Sequence, residues 1–236
     1  MRLLVCIDDT DNVDSDLGTG RQSRRLAERL AEAFPALEWR GCVRQQLLVD
    51  PRVPYTTHNS CACMIFESGA DAAPTAGAIE AVAGPYLERE CAPGSDPGLC
   101  IARRAAVPEA VTAFGRRATE DVVEEAEAWD LAERAGLFLD EYGGTGEGVI
   151  GALAGVGLTA AGDSGRFIAY GRIREYDRHV DVETLRADGV RVVDDAGAAV
   201  TSGTVDTHGW VRPHLRGHDP VLPVVRAGDA WEPANL

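Results

Sequence analysis

Three carboxylates fall within four positions near the start of the chain, Asp8, Asp9 and Asp11, with Asp14 and Asp16 close behind. Like charges this close repel and raise one another's pKa unless a cation sits between them. The cation that suits them is Mg²⁺, which takes one or two carboxylates plus phosphate oxygens and keeps several waters. The alternative is a solvated Asp-rich turn whose side chains accept local hydrogen bonds and cap a helix. A second stretch, Gly143-Gly144-Thr145-Gly146-Glu147-Gly148, leaves backbone N–H groups bare at the start of a helix, where a phosphate can lie. Its spacing, through Gly151, is not the dinucleotide fingerprint, and glycines that permit tight helix–sheet packing explain it equally well. A metal site and an anion cradle in one pocket would make a nucleotide site.

Leu3-Leu4-Val5-Cys6-Ile7 is too short for a helix and reads as a strand buried on both faces, which delivers the carboxylates to its C-terminal end. A Gly18-Thr19-Gly20 turn then leads into a helix from Gln22 to Phe34, with Leu26, Leu30 and Phe34 on one side. Strands follow at 37–49 and 61–66. The loop between them holds Pro51 and Pro54 and puts His58 and Asn59 at a sheet end. Small residues at 70–76 mark a boundary. Beyond it come helices at 75–83, 108–117 and 120–134 and a strand at 98–105. Leu137 to Asp140 is a strand feeding the glycine loop and the helix 149–156. Strands at 166–170, 190–193, 199–204 and 221–225 make a β-rich tail, with 177–185 a polar excursion and Asp194-Asp195-Ala196-Gly197 a hairpin turn.

The chain has 236 residues and a formal charge of −15. It contains no lysine, so a Walker lysine, a Schiff base and any catalytic lysine are excluded; arginines, backbone amides and a metal must hold any phosphate. Arg212, Arg216 and Arg226 are candidates for that charge. The acidic balance argues against nucleic acid bound through the whole surface. His208, His214 and His218 read as a polar surface loop. None of the six cysteines forms a CxxC pair, and Cys61 and Cys63 share a strand face as core residues. No apolar run nears the ~20 residues of a membrane span and no signal peptide opens the chain, so a cytoplasmic protein with no membrane contact is expected.

Ile7-Asp8-Asp9-Thr10-Asp11 together with Gly144-Thr145-Gly146-Glu147-Gly148-Val149-Ile150-Gly151-Ala152-Leu153-Ala154 resembles one family, the archaeal synthetases that attach agmatine to a cytidine of isoleucine tRNA. Those 2-agmatinylcytidine synthetases have a GIDDTD start and a GNGRGLIGALA segment. Pro54-Tyr55-Thr56-Thr57-His58 sits where the family has PYKTR, and Asp219-Pro220-Val221-Leu222 with Arg226 is similar to CPVLYGIRG. The resemblance runs in order from residue 1 to about residue 226. It implies an α+β chain: an ATP-binding, kinase-like α/β domain over 1–66 and 137–236, an inserted ferredoxin-like α+β domain over 67–136, and a β-rich C-terminal tail. It also implies that ATP phosphorylates a carbonyl oxygen and that an amine then displaces the phosphate.

By that resemblance Asp8, Asp9 and Asp11 are catalytic and hold Mg²⁺ with ATP. Gly18, Thr19, Gly20, Ser23, Gly144, Thr145, Gly146 and Gly148 lie near the nucleotide, with Thr19 or Ser23 the nearest hydroxyl to the family's phospho-threonine region. Tyr55, Thr57, His58, Asp140 and Glu141 face the substrate, the last two suited to a cationic amine. The chain departs from the family where KTR becomes Thr56-Thr57-His58 and where the arginine of GNGRG becomes Glu147, and it stops before the family's oligonucleotide-binding barrel and zinc ribbon. A small-molecule substrate with an amine is therefore expected, with no nucleic acid bound by this chain alone. A homo-oligomer or an RNA-binding partner chain would complete it. Two other readings stay open. One is a non-catalytic homologue that binds a nucleotide or small molecule, or serves as a subunit of a tRNA-modifying complex. The other is an aspartate-nucleophile phosphatase, from Asp9-Thr10-Asp11-Asn12-Val13 and Val192-Val193-Asp194-Asp195, with an arginine replacing the missing lysine.

Overall fold

The computed structural model describes residues 1–15, 17–53, 59–69 and 72–234. The strands are β1 (Arg2–Asp8), β2 (Glu38–Gln46), β3 (Ser60–Glu67), β4 (Gly98–Arg103), β5 (Phe138–Glu141), β6 (Arg166–Ala169), β7 (His179–Asp181), β8 (Arg191–Val193), β9 (Thr204–Asp206), β10 (His214–Arg216), β11 (Asp219–Ala227) and β12 (Ala230–Pro233). They form one sheet in the order β5-β4-β1-β3-β2-β6-β10-β11-β12-β9-β7, with β8 added beside β11. Pairing is antiparallel except at β8–β11 and β9–β12. The helices are α1 (Thr19–Ala33), α2 (Ala76–Glu90), α3 (Glu109–Arg117), α4 (Glu125–Ala135), α5 (Gly148–Ala161) and α6 (Val182–Ala187). The chain is a mixed α+β protein on a large, mostly antiparallel sheet.

β1 shows why the first strand is apolar throughout. It lies between β3 and β4, antiparallel to both. Leu3, Val5 and Ile7 enter one core with Leu26 and Leu30 of α1 and Ile79 and Leu87 of α2. Leu4 and Cys6 enter the other with Val111 and Phe114 of α3, Leu131 of α4 and Val149 and Leu153 of α5. Alternation thus sends Asp8, the next even position, toward the α5 side. Helix α5 comes very close to the sheet. A Cβ at Gly155 would collide with the sulfurs of Cys6 and Cys61, and one at Gly148 with the backbone of Asp96 and Gly98. Tight packing is therefore one purpose of these glycines. Cys6, Cys61, Cys63 and Cys100 are free thiols in the same buried cluster.

Several elements differ from expectation for local reasons. Helix α1 starts three residues early because the Gly18 carbonyl already accepts from the Arg21 and Gln22 amides. Helix α2 continues through Pro85 to Glu90: Thr75 caps it by accepting from the Ala78 amide, and Tyr86 and Leu87 stay buried beyond the expected end. Burying a large apolar side chain contributes roughly 1.5–3 kcal/mol, enough for two of them to offset the ~3 kcal/mol of an interior proline. The excursion 177–185 is ordered as β7 and most of α6, and the strand expected at 199–204 lies at Thr204–Asp206. Segment 67–136, expected as an inserted unit, supplies β4 to the interior of the sheet between β1 and β5, and α2, α3 and α4 to its faces. No helix among the described residues is long and apolar enough to cross a membrane.

Candidate functional site

At the end of β1 the backbone turns sharply. Asp8 is 9 % exposed, and Asp9 takes a left-handed φ of 48°, which aspartate tolerates better than most residues. The Asp8 carboxylate reaches α5 at Gly151, where any Cβ would collide with it. Thr10 is buried and donates to Thr19 Oγ1 (3.1 Å), which donates to Asp11 Oδ1 (3.1 Å). The acidic segment is thereby tied to the first residue of α1. The Ala92 amide donates to the Thr10 carbonyl, and Asn12 Nδ2 to that of Pro93, which pins the segment's other side to the loop before β4.

A cavity of about 650 Å³ opens here, and Asp8, Asp9, Asp11, Gly18, Thr19, Gly20, Glu147, Gly148 and Gly151 line it. The N-termini of α1 and α5 both face it, and neither carries a side-chain cap. The partly positive ends of two helix dipoles therefore flank a cluster of carboxylates. Burial, then Asp9 and Asp11, push the Asp8 carboxyl up to about 8. Burial, then Asp96, Asp11 and Glu147, push Asp9 up to about 6. No ion pair among the described residues includes Asp8, Asp9 or Asp11.

This donor set fits Mg²⁺: it is all oxygen, crowded and without a basic partner. It is not a closed three-ligand cage. Among the described residues, the group whose ligand atoms all lie within 4.8 Å of one another is Asp206, His208 and Glu232, at the far end of the sheet. An ion that shares phosphate oxygens needs only one or two of the three aspartates.

The remaining expected site residues divide. Gly144, Thr145 and Gly146 do not line the cavity; the Thr145 amide donates to the Asp96 carboxylate, and Gly146 packs against the Glu141 carboxylate. Ser23 is on the buried face of α1, donating to the Gly20 carbonyl (3.1 Å) beside Cys42 Sγ. Asp140 and Glu141 lie on β5, the edge strand, away from the cavity wall. Tyr55, Thr57 and His58 lie outside the described residues; Arg52, Val53, Asn59 and Ser60 on either side of them line the cavity. Asp194 accepts from the Ala198 amide (2.8 Å) in the turn after β8 and does not meet Asp9, so the two halves of the phosphatase pattern stay apart. The three histidines also separate. His208 joins Asp206, His214 sits opposite Arg166, and His218 Nε2 lies 2.8 Å from Arg104.

Arg24, Arg44, Arg174 and Trp210 were not expected and line the cavity's other wall. Arg174 lies 4.6 Å from the Trp210 ring centroid and Arg212, one of the three candidate arginines, 3.9 Å. Arg226 is instead on Trp231. Only Arg44 left a trace in the sequence, as a charge between the apolar residues of β2.

Fold and site together define a mixed α+β chain whose acidic strand end and two helix N-termini share one cavity. No family model matches it. It is 25 % identical over 229 residues to the isoleucine-tRNA 2-agmatinylcytidine synthetase TiaS of Cenarchaeum symbiosum (strain A), covering 95 % of this chain and 48 % of that one. A complex of TiaS with its isoleucine tRNA and ATP superimposes with a TM-score of 0.55 at 23 % identity, over 66 % of this chain and 36 % of that one. A complex of TiaS with the same tRNA, AMPCPP and agmatine gives 0.54 at 21 %, with the same coverage. The chain is thus TiaS-like at low identity, as its motifs indicated, and spans about half the length of the curated relative.

These relatives correct the expectation of a small-molecule substrate without nucleic acid, because two of them are complexes with an isoleucine tRNA. The physical fault lies in using a sum. Net charge is a total over the surface, whereas phosphate recognition depends on where the arginines stand.

Proposed function

We propose that this chain is an ATP-dependent synthetase-type enzyme that phosphorylates an oxygen of an RNA base and lets an amine displace the phosphate. The observation that carries it is the meeting of Asp8, Asp9 and Asp11 with the N-termini of α1 and α5 in one cavity. The similarity to TiaS in complex with tRNA and ATP, and with tRNA, AMPCPP and agmatine, supports it.

The uncapped amides of α1 and α5 bind the polyphosphate. Asp8, Asp9 and Asp11 would hold Mg²⁺, which neutralises charge on the phosphates and favours the aspartates' ionised form. Gly151 leaves the room that Asp8 occupies, and Thr19 orients Asp11. The base's carbonyl oxygen takes the γ-phosphoryl group and ADP leaves. The amine nitrogen then bonds to the ring carbon, the phosphate departs with the oxygen, and the nitrogen loses a proton. Asp121, Glu124, Glu125 and Glu147 line the cavity, where Asp140 and Glu141 do not, and are suited to a cationic amine.

Amine-stimulated release of phosphate from ATP in the presence of an RNA acceptor tests this reading. Turnover that needs both RNA and amine supports it. Metal-dependent ATP binding with no turnover under any combination would favour a non-catalytic nucleotide-binding homologue. The observation on that side is Glu147, which puts a carboxylate at the N-cap of α5 beside Asp9 where the family has arginine.

A further inference from the structure

The sheet sets one arginine opposite another beside the cavity, with a histidine next in the row whose pKa burial and Arg166 lower. Arg44 on β2 is the cross-strand partner of Arg166 on β6, and Arg166 is the partner of His214 on β10. Directly opposed like charges destabilise a sheet.

The arginines around this row are held by neutral groups. Arg44 donates to Ser60 Oγ (2.9 Å) and Gln46 Oε1 (3.2 Å), Arg24 to the Gly20 carbonyl (2.7 Å) and Arg174 to the Ile168 carbonyl (3.3 Å). Arg212 rests on Trp210. None of these four is in an ion pair among the described residues, in a chain with 38 acidic and 23 basic residues. They also feel one another: burial, then Arg166, Arg44 and Arg174, lower the Arg212 pKa, and burial, then Arg174, lowers that of Arg24. A guanidinium on an indole face is pre-organised, and its fork of N–H donors matches phosphate oxygens.

We propose that this arginine wall, centred on Arg44, Arg174, Arg212 and Trp210, is the chain's own seat for the backbone of single-stranded RNA. The proposal rests on the reading of an RNA acceptor and names the surface that delivers it. Arg44, Arg174 and Trp210 share the cavity with the aspartates, and Arg212 joins them through the Trp210 ring, so a strand lying along the wall brings one base to the acidic end. Planar guanidinium groups and an indole also stack on unpaired bases, which a duplex does not offer. The wall thus favours single strands.

The test is fluorescence anisotropy of a fluorescein-labelled single-stranded RNA with the full chain, beside a duplex of equal length and unlabelled ATP as competitor. The expected result is single-strand binding that weakens with salt, with a log–log slope of about −0.7 per phosphate engaged. Arg44→Glu, Arg174→Glu and Arg212→Glu are each expected to weaken RNA at least tenfold more than they weaken ATP. Arg44→Lys, which keeps the charge, should recover much of the loss and guards against misfolding.

Arg226→Glu makes the same charge change at a remote tryptophan. An equal loss there would reduce the effect to net charge and overturn the proposal. So would a wild-type chain that ignores RNA, or reversals that weaken ATP more than RNA, which would assign the wall to the nucleotide's phosphates. RNA binding that survives in a chain without ATP turnover would keep the wall and remove the catalytic reading instead.

Discussion

The cavity has two unlike walls. One is built from consecutive residues at the end of β1 and from the glycine-spaced start of α5, with carboxylates crowded against helix N-termini. The other gathers single residues from α1, β2, the segment after β6 and the segment before β10, with arginines crowded against an indole. Each wall places like charges together, and each is completed by a ligand of opposite sign. A phosphate ester with its metal supplies both signs at once.

If the acidic wall holds metal and nucleotide, the largest effect comes from removing its charge. Asp8→Asn and Asp11→Asn should weaken Mg²⁺-dependent ATP binding by at least the ~10–100-fold typical of altering groups around a metal's ligands, measured by titration calorimetry. Gly151→Ala comes next. Its methyl group would strike the Asp8 carboxylate, so it should cost about 1–3 kcal/mol in denaturant unfolding, as overpacking does, and also weaken the nucleotide.

The pH dependence has a definite sign. Asp8 and Asp9 are raised to about 8 and about 6 in the folded chain, against about 3.9 when unfolded. Their protonated forms therefore favour folding fully below pH ~4, and that contribution is lost as pH rises through 6 and then 8. With chelator present, the melting temperature should fall across this range. Asp8→Asn should flatten the fall, and Mg²⁺ should reduce it. The smallest effect is expected at Arg226→Ala, which removes the other arginine–tryptophan contact and should leave ATP and RNA affinity unchanged in the same assays.

The two walls also differ in how far the sequence reveals them. Asp8, Asp9 and Asp11 are neighbours in the chain after an apolar run, so type and spacing suffice to find them. That Glu147 and Gly148 would meet them followed from the paired motifs. The separation of Gly144, Thr145 and Gly146 did not, because it depends on how the loop folds onto Asp96. Arg24, Arg44, Arg174 and Trp210 are scattered along most of the chain and come together only through the β2–β6–β10 register. No local pattern could mark them, and the net charge pointed the other way. The fold divides similarly: β1, β3, α3 and α5 are strongly patterned, whereas β7, β9, β10 and β12 are three or four residues long and held by their partners.

The most direct test of the shared cavity is electron paramagnetic resonance of Mn²⁺, standing in for Mg²⁺, titrated into the chain with AMPCPP. The expected result is one Mn²⁺ per chain whose binding needs the nucleotide, is lost in Asp8→Asn and persists in Asp206→Asn, which alters the distant His208–Glu232 group. Nucleotide-dependent Mn²⁺ binding that survives Asp8→Asn and Asp11→Asn together would contradict a shared cavity.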